Sequence, residues 1–409
     1  MLGKDRERPT RSPSTLSINN DYCLTSDCRH RNVCYPSMTQ TALMPLSKSK
    51  GDIAMEFGII LVPQVRDGKP EPFDDVMEQI VYAEELGYDT VWLTEHHFSP
   101  YGRAAVPALA GYAIARTSEI RVSTAVAVTS FQHPIRIAED WATLDHLSGG
   151  RVDVGLGRGN QPAEFKSFDM SMDEADDRFT ESLEILRLAW TKEQFSYDGK
   201  FWRIPETSVL PKPLTKPYPP LWQAALSDYT VEKVIARGIN GLIGPYLCPY
   251  ETLKTSYFDP WHRLTASAGR TDLQMAHNEF VYVGESDAQV KADIKDYVMW
   301  YVRTAAKIWG ERDRSKVSPQ YANYNDILEW LDVVSFEEIY NDLGMFGTPE
   351  AVAEKVRWMR DEGGVDHLIN FMWIGGFEQE KALKNMELFA KEVMPQFKEP
   401  VRRPTAAQA

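Results

Sequence analysis

Glu95, His96 and His97, followed by Phe98, are the side chains in this sequence best suited to moving protons. A carboxylate beside an imidazole can fix its tautomer and raise its basicity, which general acid–base chemistry requires. Because the histidines are consecutive, extended backbone points their rings to opposite sides, where they cannot hold one ion together. A structural histidine satisfied by a hydrogen bond is the competing reading for either ring. A second cluster, GLGRG at 155–159, lets backbone amides approach an anion and adds the charge of Arg158. It is not the dinucleotide fingerprint, and tight packing of a turn explains the same glycines. Ser227 reads as a helix N-cap, where free amides also suit an anion. Arg178 follows the acidic run 173–177 and is most simply an ion-pair partner, with phosphate contact as the second reading.

These residues sit where apolar segments end. Strand composition occurs at 56–62, 90–93, 121–127, 151–155, 221–224, 241–244, 279–283 and 367–372. Helical patterns lie at 73–86, 108–117, 135–147, 175–190, 230–237, 250–268, from 287 onward, and at 379–393. Gly87 suits the left-handed end of the first helix, and the strand from Thr90 then delivers His96 to its exit. Eight strands each followed by a helix predict an α/β fold, the (β/α)8 TIM barrel, in which reactive groups gather at the carboxyl ends of the strands. An open doubly wound sheet is the alternative. The long interval 300–346 predicts an insertion before the last strand, of the kind that forms a lid or binding loop.

Composition narrows the class further. The 409 residues are 43% hydrophobic, enough for a large core, and the net charge of −14 argues against a nucleic-acid partner. No apolar run approaches the roughly twenty residues that span a bilayer. Three of the four cysteines, Cys23, Cys28 and Cys34, fall near the start, leaving Cys248 alone in the main body. No disulfide framework is expected there, and a cytoplasmic setting follows. The first fifty residues carry eight Lys or Arg against four Asp or Glu, while the remainder carries 37 against 55. Residues 1–54 therefore read as a disordered, dispensable extension ahead of a functional start at Met55, residues 55–398 as the barrel domain and 399–409 as a disordered tail. The cysteine spacing near the start fits no usual zinc pattern, and no metal site is expected.

Taken in order, LGYDTVW at 86–92, EHHF at 95–98, LDHLSGGR at 144–151, GLGRG at 155–159 and GTPE at 347–350 resemble the bacterial luciferase-like family of flavin-dependent monooxygenases. The resemblance covers about 55–397. It implies that reduced FMN serves as cosubstrate and that O2 oxygenates a small organic substrate. An NAD(P)H:flavin reductase would supply the flavin, and the chain would work as a homo- or heterodimer. By the same resemblance His96 acts near flavin and substrate, with Glu95 tuning it and His97 as a second important position. Arg158, Ser227 and Thr230 would hold the phosphate, Arg178 would be a further contact, and Ala125 and Val126 would lie against the flavin ring. Phe98, Phe131, Trp222 and Trp373 are candidate apolar walls, and the insertion would close over the site. Light-emitting members carry a reactive cysteine where Gly157 stands and an acidic residue where Leu226 stands; the first departure predicts more room beside the flavin. Rival readings are a deazaflavin-dependent oxidoreductase working by hydride transfer, a silent flavin-binding partner subunit and, more remotely, a metal-dependent hydrolase.

Overall fold

The computed structural model describes residues 52–66, 69–70, 73–101, 105–310, 329–331, 333–399 and 401–402; the expectations of disorder for residues 1–51 and 403–409 lie outside them. Eight parallel strands form the main sheet: Glu56–Leu61, Thr90–Leu93, Arg121–Thr124 continued by Ala127–Val128, Val154–Gly157, Leu221–Ala225, Asn240–Ile243, Met275–Val283 and His367–Phe371. The first strand pairs with both the second and the eighth, and each later strand pairs with its predecessor. Val122 bridges to Val152 and Ala127 pairs with Leu156, so the ladder returns on itself and the barrel closes. Closure of a parallel sheet with helices outside is the TIM-barrel solution to burying both faces.

The barrel interior is filled unequally. Trp92, Trp222 and His367 meet edge to face, with ring centroids 5.4 and 4.9 Å apart. His367 and Glu56, the first residues of their strands, pair at 3.1 Å. The amino-terminal half is thus plugged, and open volume is left towards the carboxyl ends. Gly58 makes the plug possible: a Cβ there would meet Thr90 Oγ1 at 2.3 Å and Trp92 Nε1 at 2.7 Å.

Several boundaries differ from those read in the sequence. The fourth strand starts at Val154 rather than 151, because Gly149 and Gly150 take positive φ. Arg151 then turns back to the carbonyls of Thr117, Ile120 and Ser148 at 3.1, 2.7 and 3.0 Å. The helix expected from 287, Asp287–Gly310, is not the seventh of the outer ring. That place belongs to Pro349–Asp361, whose Trp358 stacks on Tyr250 of the sixth helical segment at 4.9 Å. Its Arg360 lies over Phe397, beyond the eighth helix, at 5.1 Å. Thr348 caps this helix and Pro349 occupies its first turn, a start signal carried by the GTPE motif. An added strand, Met345–Gly347, pairs with the seventh, and a hairpin, Phe195–Asp198 with Arg203–Thr207, follows the helix Ala175–Thr191. Asp52–Ile53 pairs antiparallel with Val401–Arg402, so regular backbone extends beyond 55–398 at both ends.

Replacing Gly58 by alanine should overpack the plug and cost roughly 1–3 kcal/mol. Urea denaturation should show a lower midpoint at unchanged slope; an unaltered midpoint would mean that Trp92 moves aside freely.

Candidate active site

The open half of the barrel is a cavity of about 480 Å³ at the carboxyl ends of the strands. Ile60, Val62, Tyr246, Val302, Leu331 and Phe371 supply much of its apolar wall. Tyr301, Val302 and Ala305 come from Asp287–Gly310, which therefore lies over the mouth. Trp330 and Leu331, from the later part of the same insertion, complete that wall among the described residues. Tyr301 packs flat on Tyr101 at 4.4 Å and edge-on to Phe280 and Phe371. Arg303 donates to the Val334 carbonyl at 2.9 Å, tying this helix to the segment that follows the undescribed interval.

At the exit of the second strand, Thr94 donates to the Leu61 carbonyl at 3.0 Å and pins the turn. Glu95 is buried, and three donors engage it: His97 Nε2 at 2.9 Å, Gln132 Nε2 at 3.0 Å and the Val128 amide at 2.8 Å. The two imidazoles point to opposite sides. His96 lines the cavity, whereas His97 faces a second crevice and packs edge-on to Phe131 and Phe168, 5.9 and 5.0 Å away. Glu95 thus serves His97. The polar neighbours of His96 Nδ1 are instead Gln161 Nε2 at 2.8 Å and Glu164 Oε1 at 3.5 Å. Sequence reading missed both residues, because a short helix, Pro162–Ser167, carries little periodic signal.

Ala125 and Val126 line the cavity, and the peptide bond between them is cis. The glycines of the fourth strand serve close packing here. A Cβ at Gly155 would meet the Thr124 carbonyl oxygen at 1.7 Å, and one at Gly157 would meet Val126 Cγ2 at 2.2 Å. The extra room expected beside Gly157 is therefore taken by Val126.

A cationic corner adjoins this wall. Arg158, Ser227 and Thr230 line the cavity, and the Ser227 and Thr230 hydroxyls bond each other at 3.0 Å at the start of the helix Asp228–Arg237. Ser227 occupies the N-cap position, yet its hydroxyl makes no capping bond. Behind it, Asp176 pairs with Lys233, with Arg237 at 3.5 Å and with Arg158 at 3.8 Å. Asp176 thus draws three cations together at one corner of the site. Burial alone would raise the Asp176 pKa, but the hydrogen bond from Lys233 and the two guanidinium groups outweigh it and hold the carboxyl below its usual range. Lys233 and Arg237 were not singled out in the sequence, although their spacing after Thr230 places all three on one helical face. Arg178 stands apart from the cavity lining: it pairs with Glu174 at 3.0 Å and stacks on Phe201 at 4.3 Å.

The four aromatics expected as walls do not line the cavity. Phe98 is 65% exposed, Phe131 borders the second crevice, Trp222 belongs to the plug, and Trp373 is buried with its indole N–H on the Phe377 carbonyl. Cys248 does line it, but burial and then Glu279 push its thiol up to about 12, so it is no nucleophile near neutral pH. Among the described residues, no cluster of His, Cys, Asp and Glu is placed to hold a metal ion, and no helix is long and apolar enough to cross a membrane.

The luciferase-like monooxygenase family matches over residues 55–367. The oxygenase component of flavin-dependent trigonelline monooxygenase from Acinetobacter baylyi is 28% identical over 344 residues, covering 80% of this chain and 90% of that protein. Among solved structures, the FMN-complexed oxygenating constituent of 3,6-diketocamphane monooxygenase from Pseudomonas putida superposes with a TM-score of 0.69 at 22% identity, covering 84% of this chain and 99% of that one. An F420-dependent secondary alcohol dehydrogenase gives 0.65 at 17%, covering 83% and 98%. At such identities the two structures establish the fold and do not choose between their cofactors.

Because the Asp176 pKa is depressed in the folded state, its ion pairs stabilise the protein above the unfolded value near ~4, and that contribution disappears as pH falls through the folded value. An Asp176→Asn variant should be less stable than the parent at pH 7, and the gap in urea midpoints should close below about pH 4. A gap that persists at acid pH would assign the effect to packing.

Proposed function

The chain belongs to the luciferase-like monooxygenase family, and from that premise we propose that it is the oxygenating component of an FMN-dependent system, inserting one atom of O2 into a small, largely apolar organic substrate. The observation that carries this reading is the division of one cavity, among its described lining, between a single imidazole, His96, and a corner where the Arg158 guanidinium meets the paired Ser227 and Thr230 hydroxyls at a helix start. The donor set fits a phosphate dianion: Arg158 and the Ser227 and Thr230 hydroxyls at a helix start, with Lys233 and Arg237 maintaining the local field. Ala125 and Val126 offer a flat apolar ledge for a ring system, and the volume falls within the range of about 300–1,000 Å³ usual for cofactor and ligand pockets. When bound, reduced FMN supplies the electrons with which oxygen is activated.

The protein's own part is to orient the substrate, exclude water and move protons. Tyr301, Val302 and Leu331 wall the cavity from above, which limits wasteful loss of reduced oxygen species to solvent. His96 presents the one imidazole of the described lining and can give or take a proton there. His97, clamped by Glu95, acts by holding the strand exit. An oxygenase component needs reduced flavin delivered to it, as the Acinetobacter relative's name, an oxygenase component, implies for that protein; a separate reductase is the partner proposed here, with the chain assembling as a homo- or heterodimer in the cytoplasm.

Anaerobic fluorescence titration should show binding of reduced FMN in preference to a reduced deazaflavin. Arg158→Ala should weaken that binding by roughly 10- to 100-fold. His96→Ala should leave the affinity nearly unchanged and slow oxygen-18 incorporation into product by about 100-fold or more. Preferential deazaflavin binding with hydride transfer and no oxygen uptake would sink the proposal, and full activity of assembled His96→Ala protein would favour a silent subunit.

A further inference from the structure

We propose that Gln161 and Glu164, rather than Glu95, are the positioning residues that set the protonation of His96. The inference rests on His96 being the proton-handling group of the proposed function. Glu95 is committed elsewhere: both oxygens are engaged, by His97 and Gln132 on one and the Val128 amide on the other. The short helix Pro162–Ser167 faces the ring instead. Gln161, at its N-cap position, makes no capping bond, so its amide is free to reach His96 Nδ1 at 2.8 Å. Glu164 lies three residues on, at the same face of the turn. Its Oε1 accepts the His97 backbone N–H at 2.8 Å and stands 3.5 Å from His96 Nδ1.

Gln161 and Glu164 are each only 1% exposed, and Gln161 Oε1 has no hydrogen-bond partner among the described residues. An amide with one end bonded and the other unpartnered can turn over at little cost. With Gln161 donating, Nδ1 is bare, and the proton of the neutral ring sits on Nε2, which has no protein partner among the described residues. When the ring gains a second proton, at Nδ1, the amide turns to present Oε1 and the Glu164 carboxylate balances the charge. The gained proton is thus held on the helix side while an N–H remains at Nε2. Among the described residues lining the cavity, the other charged groups are Glu95, already bonded, and Arg158, which opposes protonation. A buried carboxylate within about 4–6 Å favours the charged imidazole.

The test is nitrogen-15 NMR of imidazole-labelled full-length protein without flavin, with His96 assigned from His96→Gln. The parent should show the Nε2–H tautomer in its neutral form. Glu164→Gln should lower the His96 midpoint by about one unit or more, a tenfold or greater change in ionisation constant. Gln161→Glu should raise it comparably, a readout that survives if Glu164→Gln fails to fold. Glu95→Gln should move His97 and leave the His96 midpoint within about 0.3 units. A His96 midpoint indifferent to both helix variants, or one that Glu95→Gln shifts as far, overturns the proposal. No flavin enters the measurement, so it can fail while the oxygenase reading stands, and the converse also holds.

Discussion

The saturation of Glu95 is the constraint on which the site depends. A buried carboxylate is costly unless each oxygen finds donors, and here the donors come from three places: the imidazole of His97, a glutamine and the backbone amide at the end of the third strand. Meeting that demand fixes the exit of the second strand against the third and turns His97 outward. Backbone alternation then leaves His96 facing the cavity. The motif is therefore a division of labour in which one acid and one imidazole build the wall, and the other imidazole is left for chemistry.

The cationic corner follows a similar logic on a larger scale. Asp176 gathers Lys233, Arg237 and Arg158 around one carboxylate. Mutual repulsion among the cations is offset by the carboxylate between them, so the field is preorganised before any anion arrives. Two parts of the barrel, the acidic start of the helix Ala175–Thr191 and the helix Asp228–Arg237, are held together by the same contacts.

Much of this was legible in the sequence, for identifiable reasons. Strands such as Thr90–Leu93 were plain because they are fully buried and continuously apolar, and helices such as Ala175–Thr191 because one face repeats at helical spacing. Glu95, His96 and Arg158 stood out because charged groups interrupt apolar strand ends. What failed to show was tertiary in origin. Both Asp287–Gly310, lying over the mouth, and Pro349–Asp361 in the outer ring are amphipathic helices, and the Thr348–Pro349 start signal marks where the second begins without saying which of them packs on the barrel. Likewise, Gln161 and Glu164 are ordinary polar residues until a turn of helix sets them against an imidazole. Aromatics such as Trp222 and Trp373 were placed at the cavity by composition, whereas their size suits them to the plug and to the layer around it.

The contact between Gly157 and Val126 has a consequence for how such a pocket changes over generations. Because a side chain at 157 would meet the Val126 methyl groups, 2.2 Å from the nearest, the two positions are coupled, and enlargement of one costs less once the other has become smaller. The order of steps is thereby biased: a lineage that first acquires a small residue at 126 accepts a side chain at 157 at lower cost.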